Sequence, residues 1–217
     1  MKFIIPEKRI IQRTKAYTEY KAYTDSFVSI IYWGKLKEVF NYLKNRRWNT
    51  ILEIGCGYGY LLPSLCQISE KVIGSDIKGA FEFCEKVTLK EIKKKHANLE
   101  LKEIDARHLS SVIDKESCDV IVAVSVLEHI SEYERAIEEI NKCLKTQGIF
   151  VCILPTENLL YKIGRRVMRY PDKYHEGYSY KELCKYLPKH FREVKTWFFP
   201  FHLPLFFYGV YQKTKSN

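Results

Sequence analysis

Hydrophobic residues follow two alternating patterns along the chain. Short apolar runs are separated by longer segments in which apolar residues recur every three or four positions. The short runs are typical of strands buried on both faces, and the longer segments are typical of amphipathic helices. Strands that alternate with helices predict βαβ units and a parallel sheet with helices on both of its faces.

The pattern predicts five strands in the middle of the chain and two aromatic strands at its end. The five middle strands are predicted at residues 51–54, 71–76, 99–104, 119–125 and 149–154. Helices are predicted over most of 8–45 and at 61–68, 79–95, 132–144 and 179–187. Thr146-Gln147-Gly148 is the expected stop of the helix at 132–144. In the first helical stretch, Tyr23, Ile30 and Ile31 are expected to share one face.

Charge and aromatic residues divide the chain into three parts. The net charge is +7 in residues 1–50, −5 in residues 51–160 and +8 in residues 161–217, which gives +10 for the whole chain. Of the 31 aromatic residues, 25 lie in the two basic flanks. An asymmetry of this size predicts that the middle of the chain and its flanks do different jobs.

Other bulk features exclude several classes of protein. The first apolar run is too short for a secretory signal, and no run approaches the roughly 20 residues of a membrane span. The aromatic stretch Trp197–Val210 contains Pro200 and Pro204. We interpret it as two strands with a turn; an interfacial membrane contact is the alternative. The seven cysteines form no CxxC pair, which predicts reduced thiols in a cytoplasmic protein and no metal site.

The first strand leads into a glycine-rich turn that carries the most specific motif. In the turn Gly55-Cys56-Gly57-Tyr58-Gly59, the glycines allow a positive φ and let the backbone approach a ligand closely. The helix that follows offers free N–H groups. The third glycine of the dinucleotide fingerprint is absent, because position 60 is Tyr. Glu53, inside the strand, would repel a pyrophosphate but suits a ligand that carries an ammonium group.

Acidic residues also end the second and third strands. Asp76 lies 23 residues after Glu53, where a carboxylate can accept both hydroxyls of a ribose. Asp105 is followed by Ala106, and a carboxylate and a backbone amide at this place suit an adenine. The structural alternatives are a paired buried carboxylate at Glu53, a helix cap at Asp76 and a turn residue at Asp105.

This ordered set of residues resembles the class I S-adenosylmethionine-dependent methyltransferases. The similarity is greatest to the branch of ubiquinone/menaquinone-type and other small-molecule methyltransferases. It covers about residues 50–155 and rests on EIGCGYG at 53–59, Asp76, Asp105-Ala106 and SVLEHI at 125–130.

The resemblance implies a Rossmann-like α/β fold in a single domain. A seven-stranded, mostly parallel sheet would carry helices on both faces, with the last strand antiparallel. The aromatic strands at about 193–199 and 205–213 would be the sixth and seventh. The implied parts are a helical N-terminal extension at 1–49, a cofactor-binding core at 50–155, a substrate-side insertion and helix at 156–192, and C-terminal strands at 193–217.

The resemblance also implies S-adenosylmethionine as the cofactor, S-adenosylhomocysteine as the product, and a role for each matching residue. The turn from Gly55 to Gly59 would lie beneath the methionine part, and Glu53 would orient the turn or meet the ammonium group. The other implied contacts are the ribose hydroxyls for Asp76, the adenine for Ile77, Asp105 and the Ala106 N–H, and the methionyl end for Ser125 and Val126.

One candidate catalytic residue and several candidate substrate contacts remain. His129 follows the fourth strand, near the expected methyl group; the alternatives are a structural role in the loop and binding of the substrate. Arg165, Arg166 and Arg169 lie in the substrate-side insertion and could bind an anion, although such a run is also typical of a solvated helix face. The candidate substrate contacts are Tyr20, Arg165, Arg169, His175 and Tyr178.

Together, these residues predict direct methyl transfer to an O, N or C atom of a small molecule, lipid precursor or glycan. The basic, aromatic flanks favour a substrate that is anionic, aromatic or membrane-associated. They would also suit the stacking and phosphate contacts of an RNA methyltransferase, but strand four lacks the Asn/Asp-Pro-Pro-Tyr type of motif. A cofactor-binding regulator without turnover is a third hypothesis. The fourth, a nicotinamide-dependent oxidoreductase, is disfavoured by Glu53 and the missing glycine.

Overall fold

A computed structural model describes residues 1–14, 22–24, 26–167, 180–200 and 203–214, with side chains for all of these except 26, 27, 164, 165 and 167. The chain divides into two compact units, residues 1–105 and residues 106–217. Each unit is described in turn below. The division into one domain with four parts stays a prediction.

A seven-stranded sheet contains all the strands that the sequence predicts. The first unit contributes three strands in the order β3-β2-β1, and the second contributes four in the order β4-β5-β7-β6. Within each unit, neighbouring strands pair in parallel except at β7, which is antiparallel to both β5 and β6. The predicted fold class is therefore confirmed. The strands are β1 Trp48–Ile54, β2 Ser69–Asp76, β3 Leu99–Glu103, β4 Cys118–Val124, β5 Leu144–Pro155, β6 Phe191–Phe199 and β7 Phe206–Lys213.

Helices connect the strands and begin the chain. The first unit contains α1 Lys8–Gln12, α2 Ser26–Leu43, α3 Leu62–Cys66, α4 Ala80–Cys84 and α5 Lys90–Lys95. A π-helical turn, Glu85–Leu89, joins α4 to α5, so the helical stretch predicted at 79–95 is present but not uniform. The second unit contains α6 Tyr133–Cys143, α7 Leu159–Val167 and α8 Tyr180–Tyr186, with 3₁₀ segments at Ala106–Ser111, Leu127–His129 and Leu187–Lys189.

The core has the composition expected of a covered parallel sheet. The second part of β1, residues 51–54, and the centre of β4 are buried on both faces, which explains their continuous apolar runs. On α6, the predicted inward residues Ala136, Ile137 and Ile140 have no exposed surface. Burial of these apolar side chains is what holds the helices against the strands.

The face that Tyr23, Ile30 and Ile31 are predicted to share stays a prediction, and Ile30 itself is 69% exposed. The predicted end of helix α6 is wrong. Helix α6 ends earlier than Thr146-Gln147-Gly148, because Leu144 is already extended and begins β5. Gln147, not Gly148, takes the positive φ of 68°. Gly148 is instead required for space, since a Cβ there would lie 2.7 Å from the Lys145 carbonyl oxygen.

The aromatic C-terminal stretch forms two strands, as the favoured interpretation has it. Residues Phe206 to Tyr211 of β7 are buried in the sheet, and the ring of Tyr208 stacks on Trp197 with 4.9 Å between centroids. In the described part of the chain, none of the helices has the length and apolar character of a membrane span.

The seven cysteines are all unbridged. Within the described residues, no cluster of His, Cys, Asp and Glu has the makings of a metal site.

The tight packing of β7 generates a first prediction. A Cβ at Gly209 would lie 2.4 Å from Tyr211 Cε2 and 3.1 Å from Phe207 Cε1, and both rings are too buried to move freely. Gly209→Ala should lower the free energy of unfolding by about 1–3 kcal/mol, the usual cost of overpacking. Urea unfolding followed by circular dichroism measures the change. Val194→Ala, at a position that is 45% exposed, is the control, and an equal loss in both variants would contradict the packing argument.

Candidate functional site

The glycine-rich turn after β1 is held in a left-handed conformation at three alternate positions. Gly55, Gly57 and Gly59 have φ values of 62°, 49° and 72°, which side chains with a Cβ adopt only at a cost. The Cys56 N–H donates to the Ser75 carbonyl oxygen at 2.9 Å. The turn is therefore fixed to the end of β2 as well as to β1.

Two glycines of this turn serve different purposes. At Gly59, a Cβ would lie 2.6 Å from Leu89 Cδ2 and 3.0 Å from Leu62 Cδ1, so this glycine lets two helical segments close beneath the turn. At Gly57, a Cβ would meet no atom within 4 Å. The backbone at Gly57 therefore borders open space, where a ligand could approach it.

The Asp76 carboxylate connects the end of β2 to the turn. Its Oδ2 accepts the Gly57 N–H at 2.8 Å, and its Oδ1 accepts the Ile77 N–H at 2.9 Å. Burial raises the pKa of Asp76, and these two hydrogen bonds oppose that rise. The alternative of a helix cap is wrong, because α4 follows Gly79 and has no side-chain cap. Each carboxylate oxygen retains a further lone pair for a ligand.

The Glu53 carboxyl lies buried beside Asp76. Its residue is 3% exposed, and its Oε2 has no hydrogen-bond partner among the residues that the structure describes. Burial, and then the negative charge of Asp76, raise the pKa of Glu53 well above its usual value. A buried carboxyl oxygen without a partner costs free energy. Among the described residues, Oε2 of Glu53 therefore takes part in no structural pair, and a cationic ligand would satisfy it.

The parallel register brings the remaining candidates of the first unit to the same edge of the sheet. Ile54 pairs with Ser75, and Asp76 pairs with Glu103, so β1, β2 and β3 end side by side. Ile77 follows β2 and is 52% exposed. Asp105 follows β3 and is partly buried.

Sequence patterns missed Thr88, which also holds the turn. Its Oγ1 donates to the Tyr58 carbonyl oxygen at 2.8 Å. Thr88 lies within the π-helical turn Glu85–Leu89 and is buried. No local signal distinguishes it, because the contact joins positions 30 residues apart.

In the second unit, the candidates lie at the start of a 3₁₀ segment and in the loop after β4. Ala106 begins the 3₁₀ segment Ala106–Ser111 and is buried. Ser125 has a φ of 55°, unusual for a residue other than glycine, and its N–H donates to the Ile153 carbonyl oxygen at 2.8 Å. Val126 precedes the 3₁₀ turn Leu127–His129. Backbone strain of this kind collects at functional sites.

His129 ends that 3₁₀ turn beside a buried carboxyl group. Its side chain is 40% exposed, and Nε2 lies 4.0 Å from Oε1 of Glu128, whose side chain is 2% exposed. A protonated imidazole at this place would be stabilised by the neighbouring carboxylate. The structure thus places the histidine at the surface of the loop and the glutamate inside it.

The predicted substrate contacts fall mostly outside the described residues. These are Tyr20, Arg169, His175 and Tyr178, together with the side chain of Arg165. Arg166, in α7, is described and exposed. On the same helix, Leu159 and Ile163 are 76% and 50% exposed.

Comparison with known proteins agrees with this arrangement. The family described as "Methyltransferase domain" matches residues 52–152. The ubiquinone biosynthesis O-methyltransferase of Pelagibacter ubique is 33% identical over 101 residues, which are 46% of this chain and 39% of that protein. The enzyme of the same name from Bartonella quintana is 32% identical over 102 residues, 46% of this chain and 38% of that protein. The chain thus spans well under half the length of these two relatives.

Solved structures share the fold over a greater length. A protein from Pyrococcus horikoshii superposes with a TM-score of 0.70 at 17% identity, covering 94% of this chain and 99% of that one. A SAM-dependent methyltransferase from Aquifex aeolicus gives 0.64 at 17% identity, covering 82% and 89%. The family match over residues 52–152 confirms the resemblance seen in the motifs, and these solved structures share the fold of the chain.

Proposed function

We propose that this chain transfers a methyl group from S-adenosylmethionine to a small molecule. One observation carries the proposal. The Glu53 carboxyl is buried two residues before Gly55, and its Oε2 has no partner among the described residues. S-adenosylmethionine carries an ammonium group at its methionine end. An ammonium group would satisfy the carboxylate, and a pyrophosphate would be repelled by it.

The rest of the first unit fits the same ligand. We assign the backbone around Gly57, which borders open space, to contact with the methionine part. We assign Asp76 to the ribose hydroxyls, because both of its oxygens already point at backbone N–H groups and keep lone pairs for further donors. The exposed side chain of Ile77 suits an adenine face, and Asp105 suits the adenine amine.

The roles of the second unit follow from the family resemblance. The Ala106 N–H is assigned to an adenine ring nitrogen, since the first N–H groups of a helical segment lack partners within it. Ser125 and Val126 are assigned to the methionyl end. The positive φ of Ser125 is the local feature that supports a role for this loop in binding.

When bound, S-adenosylmethionine supplies an electrophilic methyl group on a sulfonium. The protein's own contribution is to bind, orient and exclude water. A base is needed only where the accepting atom must lose a proton. We assign that task to the His129 imidazole, since it is partly exposed and has the Glu128 carboxyl within 4.0 Å. Glu128 would stabilise the imidazolium that results.

The substrate we propose is an anionic, aromatic or lipid-like small molecule. The two relatives from Pelagibacter ubique and Bartonella quintana are named as ubiquinone biosynthesis O-methyltransferases. The basic, aromatic flanks of this chain suit the same chemistry. We further propose that the protein works in the cytoplasm.

Incubating cell extract with the protein and methyl-labelled S-adenosylmethionine tests the reaction. A labelled small or lipid-like product, found by mass spectrometry, is the expected result. Labelled RNA would overturn the substrate class. Tight cofactor binding with no labelled product from varied extracts would indicate a cofactor-binding regulator and not an enzyme.

Cofactor binding itself gives the second prediction. Isothermal titration should show that the protein binds S-adenosylhomocysteine and not NAD. Asp76→Ala should weaken that binding about 10- to 100-fold, because hydrogen bonds to a charged group contribute about 1.5–3 kcal/mol. Asp114→Ala, in the loop before β4, is the control and should bind normally. Tight NAD binding without binding of S-adenosylhomocysteine would overturn the proposal.

The raised pKa of Glu53 gives the third prediction. An ammonium group beside the carboxyl would lower that pKa, so binding should release a proton and the affinity should rise with pH. Between pH 5.5 and 8, we expect a gain of up to about tenfold per pH unit below the raised pKa. Titration in buffers of different ionisation enthalpy counts the released proton. Glu53→Gln should abolish the slope, and Glu70→Gln, on the exposed part of β2, should keep it.

The same shift also has a consequence for stability. A carboxyl whose pKa is raised by folding favours the folded state only at low pH, and that contribution is lost as the pH rises from the unfolded to the folded pKa. Glu53→Gln should therefore raise the free energy of unfolding of the ligand-free protein at pH 7 while it weakens binding. An equal effect at pH 4 and pH 7 would contradict this cause.

The basic insertion gives the fourth prediction. Neutralising Arg165, Arg166 and Arg169 to Gln should lower the initial rate of label transfer in extract at least fivefold, because the proposed anionic substrate loses its partners. The dissociation constant of S-adenosylhomocysteine should change less than twofold. A variant with Lys86, Lys90 and Lys94 changed to Gln loses the same charge on the helical stretch of the first unit and serves as the control. Parallel losses in rate and in cofactor affinity would contradict the division of labour.

A further inference from the structure

Tyr60 occupies the position after the glycine turn and contacts the N-terminal segment, residues 1–14. The residue is 4% exposed, and its phenol oxygen lies 3.1 Å from Thr14 Oγ1, which is fully buried. Thr14 Oγ1 donates its one hydrogen to the Ile11 carbonyl oxygen at 2.7 Å. Tyr60 must therefore be the donor in the pair, and Thr14 the acceptor.

The ring of Tyr60 also contacts the residues between the N-terminal segment and β1. The Tyr23 ring meets it edge-on with 4.7 Å between centroids, and the Trp33 ring lies at 5.4 Å. Trp33 Nε1 donates to the Tyr23 carbonyl oxygen at 3.1 Å, which fixes these two rings to each other. One side chain thus reaches the N-terminal segment, the residues before α2 and α2 itself.

On its other side, Tyr60 is a direct continuation of the turn. It follows Gly59, whose N–H donates to the Cys56 carbonyl oxygen at 2.8 Å, and its ring stacks on Tyr58 at 5.8 Å. The space beneath Gly59 is filled by Leu62 and Leu89. A shift of the Tyr60 ring would therefore be transmitted to the turn rather than absorbed around it.

The N-terminal segment rests on the same helices that close beneath the turn. The Ile4 N–H donates to Ser64 Oγ at 2.8 Å, and Gln67 Nε2 donates to the Lys2 carbonyl oxygen at 2.8 Å, on α3 and just after it. Glu7 pairs with Lys95 at the end of α5. The segment thus spans the two helical elements between which Gly59 is packed.

From this geometry we infer that Tyr60 is a positioning residue, which couples docking of the N-terminal segment to the affinity of the glycine turn for S-adenosylmethionine. The inference rests on the proposed function, because it takes the turn as part of the cofactor site. Coupling between two events is reciprocal. Binding of the cofactor must therefore stabilise the docked segment by as much as docking strengthens the binding.

Removal of the hydroxyl pair tests the inference with little disturbance of packing. Tyr60→Phe and Thr14→Val each delete one partner of the hydrogen bond and keep the shape of the side chain. Each should raise the dissociation constant of S-adenosylhomocysteine about three- to tenfold, the worth of one hydrogen bond. The double variant should lose little more affinity than Thr14→Val alone, because both changes remove the Tyr60–Thr14 hydrogen bond and Thr14→Val also removes the one to Ile11.

Hydrogen exchange of residues 1–14, measured with and without ligand, separates coupling from packing. A Tyr60 that only packs would not make this exchange respond to the ligand. Saturating S-adenosylhomocysteine should slow exchange in this segment of the wild-type protein, and Tyr60→Phe should reduce that slowing. Tyr211→Phe removes a buried hydroxyl in the second unit, where Oη donates to Cys184 Sγ at 3.9 Å. It is the matched control and should alter neither the binding nor the exchange.

The outcomes separate the two proposals. If the wild-type protein binds no S-adenosylhomocysteine, the proposed function fails and the inference falls with it. If the wild-type protein binds, but Tyr60→Phe and Thr14→Val bind equally well and exchange at 1–14 ignores the ligand, the inference alone is overturned. If Tyr60→Phe and Thr14→Val lower the free energy of unfolding but leave the affinity for S-adenosylhomocysteine unchanged, Tyr60 is a packing residue and the inference is likewise overturned.

Discussion

The hydrogen bond from the Gly57 N–H to the Asp76 carboxylate is the contact on which the candidate site depends. It joins the turn after β1 to the end of β2 at 2.8 Å. A second hydrogen bond, from the Cys56 N–H to the Ser75 carbonyl oxygen, also holds the turn against β2. Because parallel strands end at the same edge of a sheet, one carboxylate can order the turn and still face a ligand.

The candidate site contains a buried group that lowers the stability of the folded chain, and we relate this group to function. Glu53 is buried with an oxygen that lacks a partner among the described residues, and its negatively charged neighbour makes ionisation harder still. In a purely structural protein, an apolar side chain or a glutamine would be more stable at this position. A ligand with a cationic group would supply the partner that Glu53 lacks. The glycine motif and the buried carboxyl therefore indicate the same kind of ligand.

Much of the fold and the first half of the site could be predicted from the sequence, because their signals are local. The apolar runs of β1 and β4 are each continuous, and Glu53 lies within seven residues of the three glycines that follow it. The end of α6 was mispredicted because Gly148 is needed for space against the Lys145 carbonyl, and not for a positive φ. Ile30 is exposed although its spacing matches a helix face, because helical spacing says which residues share a face and not whether that face is covered.

Contacts between positions that are distant along the chain leave no local pattern in the sequence. Thr14 reaches Tyr60 across 46 residues, and Thr88 reaches Tyr58 across 30. Hydroxyl side chains such as these are common in surface turns and helix ends, so their types alone do not reveal a buried partner. Only the folded chain shows that both hold the residues on either side of Gly59.

The π-helical turn Glu85–Leu89 bears on how relatives of this protein should be aligned. A π-turn contains one residue more than the α-helix it interrupts, and that residue rotates everything after it by about 100°. Within this turn, Thr88 contacts the Tyr58 carbonyl oxygen and Leu89 lies beneath Gly59. A homologue that lacks the extra residue would present other side chains to the turn. A one-residue gap in this helix therefore changes the residues beneath the proposed cofactor site, and is not a neutral difference in length.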